Sequence, residues 1–243
     1  MAERRCALIV IGNEILSGKT QDSNAYFSAR ELRRVGVALE RIAVVPDDLD
    51  AIAREVRYCS DNFELVLTSG GIGPTHDDMT MDGVAAAFGR RIYSNPELVS
   101  LITDHSPGGM NPARLKMAAI PEGSILVRTD DIWFPTVQVE NVCILPGVPQ
   151  LFETKLKAIA DNFATDPYFI RVIYTSAAES SIAHHLNQCV ERFPRLMLGS
   201  YPRFDDATYR VRLTLESKDR DYLENAFNHL LDLLPADTVI KTE

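Results

Sequence analysis

Three times in this chain an apolar run stops at a loop rich in glycine or proline, and a helical pattern follows. CALIVIG (residues 6–12) leads into IGNEILSGKTQDSN, ELVLTSG (64–70) leads into TSGGIGPTHDDMT, and VCIL opens onto PGVP (146–149). A strand that is apolar at every position is covered on both faces, the habit of central strands in parallel sheets. The intervening segments DSNAYFSARELRRVG and DDLDAIAREVRYCSDN read as helices. Asp22 or Ser23 can cap the first, and Gly36 can end it in a left-handed turn. ALERIAVV is a further strand, and TMDGVAAAFG is a short helix that Thr80 can cap. Strands alternating with helices imply right-handed crossovers and a mainly parallel α/β sheet.

The middle of the chain is less regular. PELVSLITDH and PARLKMAA are helical, separated by SPGGMN, and TVQVENVCILPGVP holds two strands with a turn at Glu140-Asn141. Pro149 opens a helix over about residues 150–162. DNFATDP then reads as a linker, and the pattern changes beyond it. YFIRVIYTS, ESSIAHHLNQCVERF, LMLGSYP, TYRVRLTLES, DYLENAFNHLLDLL and TVIK follow the order β-α-β-β-α-β, a small α+β module of ferredoxin-like type. The expected domains are therefore 1–163 and 168–243.

Net charge narrows the class of ligand. The balance is −9 with no basic block, a poor match to a phosphate backbone, so nucleic acid is not an expected partner. A small anionic ligand is still admissible if backbone amides or a metal supply the positive field. Cys6, Cys59, Cys143 and Cys189 are widely spaced in apolar or helical segments. They read as buried free thiols suited to a reducing, cytoplasmic compartment. The first apolar run is too short for a membrane span, and no signal-peptide cleavage pattern follows it. A homo-oligomer is expected.

In an open parallel sheet, ligands bind beyond the carboxyl ends of strands, where the crossover direction changes. All three loops follow strands, so they can lie on one edge. The central one carries the most chemistry. Gly70, Gly71 and Gly73 let a ligand approach successive amides, which can hold phosphate oxygens. Asp77 and Asp78 would repel phosphate unless a hard divalent cation bound both. Thr75 adds a hydroxyl. Gly12, Asn13 and Glu14 supply an acid after the first strand, and Asp22 and Asn24 lie at the next helix start. Pro146 and Gly147 make the third turn. Each loop alone is also explained by tight turns and helix caps; their recurrence at three strand ends is what caps alone leave unexplained.

Other residues admit two readings. Lys116 and Arg114 suit either a phosphate contact or a solvated helix face. Trp133, Phe134 and Tyr201 suit either a stacked isoalloxazine, adenine or pterin ring or ordinary packing. His76 lies within the acidic loop and reads as a surface residue. His184 and His185, adjacent on a helix, are expected to point apart and make a poor metal pair. No Gly-x-Ser-x-Gly nucleophile, Walker lysine or His-Glu-x-x-His motif is present.

IGNEILSGKTQDSN, TSGGIGPTHDDMT and LPGVP resemble the molybdopterin-binding-domain superfamily, in particular the branch of competence/damage-inducible protein A. RIAVVPDD, WFPTVQVENVCILPGVP and LGSYPRFDDATYRVRLTLES extend the resemblance to the N-terminal, FAD-hydrolase domain of eukaryotic-type FAD synthase. It covers nearly the whole chain. It implies a three-layer sandwich of molybdopterin-binding type followed by a small α+β module. It also implies hydrolysis of a nucleotide pyrophosphate, FAD to FMN and AMP or ADP-ribose to AMP and ribose phosphate, with a divalent metal (cobalt or magnesium) and potassium. Carried onto these positions, phosphate contacts fall at Gly70, Gly71, Gly73 and Thr75, and metal or catalytic acids at Asp77, Asp78 and Glu14. Gly12-Asn13-Glu14 stands where relatives usually have Gly-Asp-Glu, so an oxygen ligand is kept and a charge is lost. An adenylyltransferase domain that makes FAD and a nicotinamide-nucleotide deamidase domain are expected to be absent. Two other readings fit the same loops: pterin-nucleotide binding in molybdenum cofactor metabolism, and a non-catalytic nucleotide-binding regulatory module.

Overall fold

The computed structural model describes residues 4–106, 108–129, 132–203 and 208–243. Positions 1–3 of the N-terminus, 107 in SPGGMN and 204–207 in LGSYPRFDDATYRVRLTLES lie outside the described residues. The contacts divide the chain into two compact units, Met1–Thr165 and Asp166–Glu243.

The first unit begins with β1 (Arg5–Ile11), a single short turn α1 (Asn13–Leu16), α2 (Asn24–Arg34), β2 (Ala38–Val45), α3 (Leu49–Asn62), β3 (Leu65–Ser69) and α4 (Thr80–Ala87). An excursion follows through β4 (Ile92–Ser94), α5 (Pro96–His105), α6 (Pro112–Met117) and β5 (Ala119–Pro121). The chain then returns through β6 (Ile125–Thr129), β7 (Ile132–Val139), β8 (Val142–Leu145) and α7 (Pro149–Ala160). The main sheet runs β2-β1-β3-β8-β7-β6. Its four strands β2, β1, β3 and β8 are parallel, and β7 and β6 are antiparallel additions.

The period-two alternation of the strands sorts their side chains into two cores. Ala7, Ile9 and Ile11 of β1 enter one with Val66, Val142 and Ile144, packed with Ile52, Val56, Val84 and Ile102 of the helices on that face. Cys6, Leu8 and Val10 enter the other with Leu65, Leu67 and Leu145, packed against Leu32, Phe152, Leu156 and Ile159. Helices on both faces of a mostly parallel sheet make the three-layer sandwich read from the sequence. Since β1 passes to β2 on one side while β3 lies on the other, the switch in winding falls between β1 and β3.

The second unit comprises β9 (Phe169–Thr175), α8 (Glu179–Arg192), β10 (Met197–Pro202), β11 (Val211–Ser217), α9 (Arg220–Leu233) and β12 (Val239–Thr242). Its sheet is antiparallel in the order β10-β11-β9-β12. Val211, Leu213 and Leu215, alternating along β11, join Ile182, Cys189, Leu223, Phe227 and Leu230 of the two helices in a separate core. This is the small α+β module that the second half of the sequence describes.

Several local expectations are corrected. Thr80 is the first residue of α4 rather than its cap, because its hydroxyl donates to the Gly70 carbonyl at 2.8 Å. At α2 the side chain of Asp22, not of Ser23, accepts the first free amides, those of Asn24 and Ala25. The DNF of the expected linker is a 3-10 turn, Asp161–Phe163. The His184 and His185 rings lie 3.6 Å apart between centroids, so they turn toward each other across the helix surface. Burial, and then the neighbouring His184, lower the pKa of His185. No group of three or more His, Cys, Asp or Glu suited to a metal occurs among the described residues.

Candidate functional site

The carboxyl ends of β1, β3 and β8 are neighbours in the sheet, and their three loops touch. The Asn24 amide group donates to Ser69 Oγ at 2.8 Å and to the Gly147 carbonyl at 2.9 Å, joining the start of α2 to the ends of β3 and β8. A Cβ placed on Gly147 would come within 3.1 Å of the Gly70 Cα, so the two turns pack backbone on backbone. Gly70 itself has φ +105°, and a Cβ there would stand 2.3 Å from the Ile11 carbonyl oxygen. Glycine at 70 is therefore required by the meeting of β1 and β3, whether or not a ligand is bound.

These contacts redistribute the expected roles. The Gly70 amide donates to the Leu145 carbonyl at 3.2 Å, prolonging the β3–β8 ladder, and is not free for phosphate. The Thr75 amide and hydroxyl donate to Asp78 Oδ2 at 2.8 and 2.5 Å. Among the described residues, the amides of Gly71, Ile72 and Gly73 donate to no protein group. The Lys116 ammonium donates to the Thr75 carbonyl, so its charge is beside the acidic turn. Arg114 closes its own loop by donating to the Gly109 carbonyl.

A cavity of about 540 Å³ lies over the loops. Glu14, Asp78, the Gly70–Gly73 turn and Pro146-Gly147 form its polar side. Trp133, Phe134, Val148 and Leu151 form an apolar wall, and Lys155 completes it. A smaller cavity of about 90 Å³ is bounded by Glu14, Thr20, Asp22, Asn24, Ser69 and Gly147. Another of about 120 Å³ is bounded by Gly71, Gly73, Asp78, Asp82 and Lys116. Glu14 thus faces the first two and Asp78 the first and third.

Asp77 lines none of these three cavities. Its side chain is 58% exposed, and His76 Nδ1 lies 3.9 Å from its carboxylate. The Thr75 hydroxyl, which serves Asp77 as well as Asp78, then the residue's own amide, His76 and Lys116 hold Asp77 below the ordinary carboxylate range. Asn13 is exposed and anchored through its backbone, its amide donating to Asp47 Oδ2 at 2.8 Å. Gly12 is buried, its amide donating to the Val45 carbonyl at 3.2 Å. Thus Glu14, Asp78, Gly71, Gly73, Pro146 and Gly147 are brought together. Asp77, Thr75 and Asn13 are held at or outside the edge, and Asp22 and Asn24 brace the loops. Tyr201 belongs to β10 of the other unit.

One residue escaped the motif reading. Lys155 is buried at 6% exposure, donates to the Phe134 carbonyl at 2.5 Å and has its pKa lowered to about 8 by burial. The signal was present in PQLFETKLKAIA, where Lys155 falls on the same helical face as Phe152, Leu156 and Ile159.

With this geometry in place, the relatives of the chain can be compared. The pattern of a probable molybdopterin binding domain matches residues 7–165. The chain belongs to the molybdopterin-binding-domain family. Residues 167–243 of this family member match the middle domain of FAD synthase. A protein of Archaeoglobus fulgidus is 35% identical over 93% of this chain and 96% of its own length. Probable FAD synthases of Caenorhabditis briggsae and Caenorhabditis elegans are each 31% identical over 95% and 96% of this chain. The chain spans about half of each, 50% and 51% of their lengths. The crystal structure of the protein CinA, with unknown function, from Thermoplasma acidophilum is 36% identical. It superposes with a TM-score of 0.60 over 66% of this chain and 98% of that one. The family and branch agree with the motif resemblance, and the shared fold places the three loops of this member at the strand ends of the sandwich.

Proposed function

We propose that this protein hydrolyses a nucleotide pyrophosphate, FAD to FMN and AMP or ADP-ribose to AMP and ribose phosphate. The observation that carries this reading is the sharing of one cavity of about 540 Å³ by Glu14, Asp78 and the Gly71–Gly73 turn. Unpaired amides favour a phosphate, and carboxylates beside them make sense when positive charge arrives with the ligand. The match of residues 167–243 to an FAD synthase domain supports a nucleotide substrate.

The donor set suits a hard divalent ion such as magnesium or cobalt only in part. No three-ligand cluster exists among the described residues, so Asp78 and Glu14 would hold the ion together with phosphate oxygens and water, as magnesium sites commonly do. Asp77, outside the cavity lining, would act by its charge at the edge. A bound divalent ion supplies charge neutralisation at the phosphoryl oxygens and lowers the pKa of water. Potassium has a separate candidate place. Among the described residues Asn24 Oδ1 is buried without a hydrogen-bond partner, and Asn24 bounds the cavity of about 90 Å³ together with Glu14, Asp22 and Ser69.

In the proposed reaction the Gly71, Ile72 and Gly73 amides hold one phosphate. Glu14 orients a water and takes its proton as the water oxygen bonds to phosphorus. The bond from that phosphorus to the bridging oxygen breaks, and the oxygen leaves with the second phosphate. Incubating the protein with FAD and with ADP-ribose, with magnesium or cobalt and with or without potassium, followed by chromatography, tests this. FMN with AMP, or ribose phosphate with AMP, is expected; saturable binding with no product under any metal would refute hydrolysis and leave a nucleotide-binding module. The family description favours one second reading, a pterin nucleotide in the same loops. A molybdopterin nucleotide that displaces FAD and ADP-ribose at lower concentration than either would establish it.

A further inference from the structure

The glycines of the site loops divide into two kinds by what surrounds them. Gly70 has φ +105° and Gly71 φ +64°, left-handed values that a residue with a side chain rarely adopts. A Cβ on Gly71 would stand 2.3 Å from the hydroxyl of buried Thr80, as one on Gly70 would from the Ile11 carbonyl oxygen. The path of the chain requires both. It does not require Gly12 or Gly73. Gly12 has φ 164°, extended backbone open to any residue, and Gly73 lies outside the left-handed region. The reason for glycine at these two positions lies in what occupies the space of the missing Cβ.

At both positions that occupant is a carboxylate. A Cβ on Gly12 would meet Glu14 Oε1 at 2.5 Å and Oε2 at 2.6 Å. One on Gly73 would meet Asp78 Oδ2 at 2.7 Å, with Oδ1 and Cγ at 3.1 Å. Ordinary contacts to a Cβ begin at 3.4 Å, so each acid lies folded over its own loop, in the hollow a side chain would fill. The hollow at Gly12 is anchored to the sheet, because the Gly12 amide donates to the Val45 carbonyl at 3.2 Å. Asp78 is also gripped by the Thr75 amide and hydroxyl. Glu14 and Asp78 are the acids that line the large cavity.

We propose that Gly12 and Gly73 are positioning residues, whose missing side chains set where the Glu14 and Asp78 carboxylates stand in the cavity. What the two acids do there rests on the pyrophosphatase reading; how they are placed goes beyond it. Alanine at either position keeps the backbone amide, including the Gly73 amide assigned to phosphate, and needs no left-handed φ. What it strikes is the far end of a flexible side chain. The fold therefore stays, and the carboxylate retreats to 3.4 Å or more from the new methyl group. A displacement on the order of 1 Å at a reacting group costs about a hundredfold in rate.

The test compares Gly12→Ala and Gly73→Ala in the full chain with the wild type by crystallography, thermal melting and turnover of FAD and ADP-ribose with magnesium. Each variant should show its own carboxylate displaced, with the other acid and the Gly70–Gly71 turn in place. On whichever dinucleotide the wild type cleaves, kcat should fall by about tenfold to a hundredfold. KM should change little, because the amides that hold phosphate remain. If Gly73→Ala lowers the melting temperature, its combination with Asp78→Ala should melt as Asp78→Ala alone does, since the group it strikes is gone. Gly12→Ala should behave likewise with Glu14→Ala. Carboxylates unmoved in the variant crystals, or a melting loss that persists undiminished once the acid is removed, would overturn the positioning role and leave hydrolysis standing. Displaced carboxylates in variants of a protein that cleaves neither dinucleotide would support the positioning and overturn the pyrophosphatase reading.

Discussion

Asp77 and Asp78 are adjacent in sequence and differ in circumstance. Asp78 accepts both donors of Thr75 and lines the large cavity, whereas Asp77 is at the exposed edge. Asp78→Ala is therefore expected to reduce kcat/KM for a dinucleotide by about a hundredfold or more, and Asp77→Ala by less than about tenfold, in steady-state assays. The reverse order would return the main role to Asp77. Lys155 gives a pH prediction at the same scale. Its folded value of about 8 is below the reference 10.5, so between these values the unfolded chain binds more protons and stability rises with pH. The destabilisation, about 3 kcal/mol in full, is present below pH 8 and is relieved as pH rises toward 10.5. Lys155→Met should thus be more stable than the wild type at pH 7, with the gap narrowing by pH 10 in denaturant titrations.

At the scale of elements, the carboxyl ends of β3 and β8 are held together by Asn24, which bonds to Ser69 and Gly147 from the start of α2. Asn24→Ala is expected to cost about 2–3 kcal/mol of stability through two partners left unmatched. It should also lower turnover more than a surface change of equal stability cost. The unbroken apolar runs Cys6–Ile11 and Val142–Leu145 were legible as central strands because their successive residues enter two cores on opposite faces. The short β4, β5 and β6 were not, since Ile92–Ser94 and Ala119–Pro121 pair across intervening helices, and Ile125–Thr129 is a partly exposed edge. In the site, glycine spacing marked the right loop but not which amides stay free, because that depends on Gly70 joining the β8 ladder. The spacing of Lys155 with Phe152, Leu156 and Ile159 marked it as an inward position of α7, but not as a cavity residue, because its partner is a backbone carbonyl on another element, β7.

For the molecule as a whole, the two units have separate cores, the second centred on Ile173, Leu213, Leu215 and Phe227. A fragment of residues 1–165 should unfold cooperatively by itself, as followed by circular dichroism; a broad, non-cooperative melt would show that its fold depends on the remainder. Burial raises the Cys6 thiol well above its usual value and pushes the Cys143 thiol up to about 12. Both should resist alkylation until the first unit unfolds. The central claim is that free amides after β3, with the carboxylates of Glu14 after β1 and Asp78 after β3, hold one pyrophosphate together with its metal. It is tested most directly by a crystal structure of the protein with a non-hydrolysable dinucleotide and magnesium. The account predicts phosphate oxygens on the Gly71–Gly73 amides with Glu14 and Asp78 turned toward them. A dinucleotide bound elsewhere, with Asp78 facing bulk solvent, would contradict it.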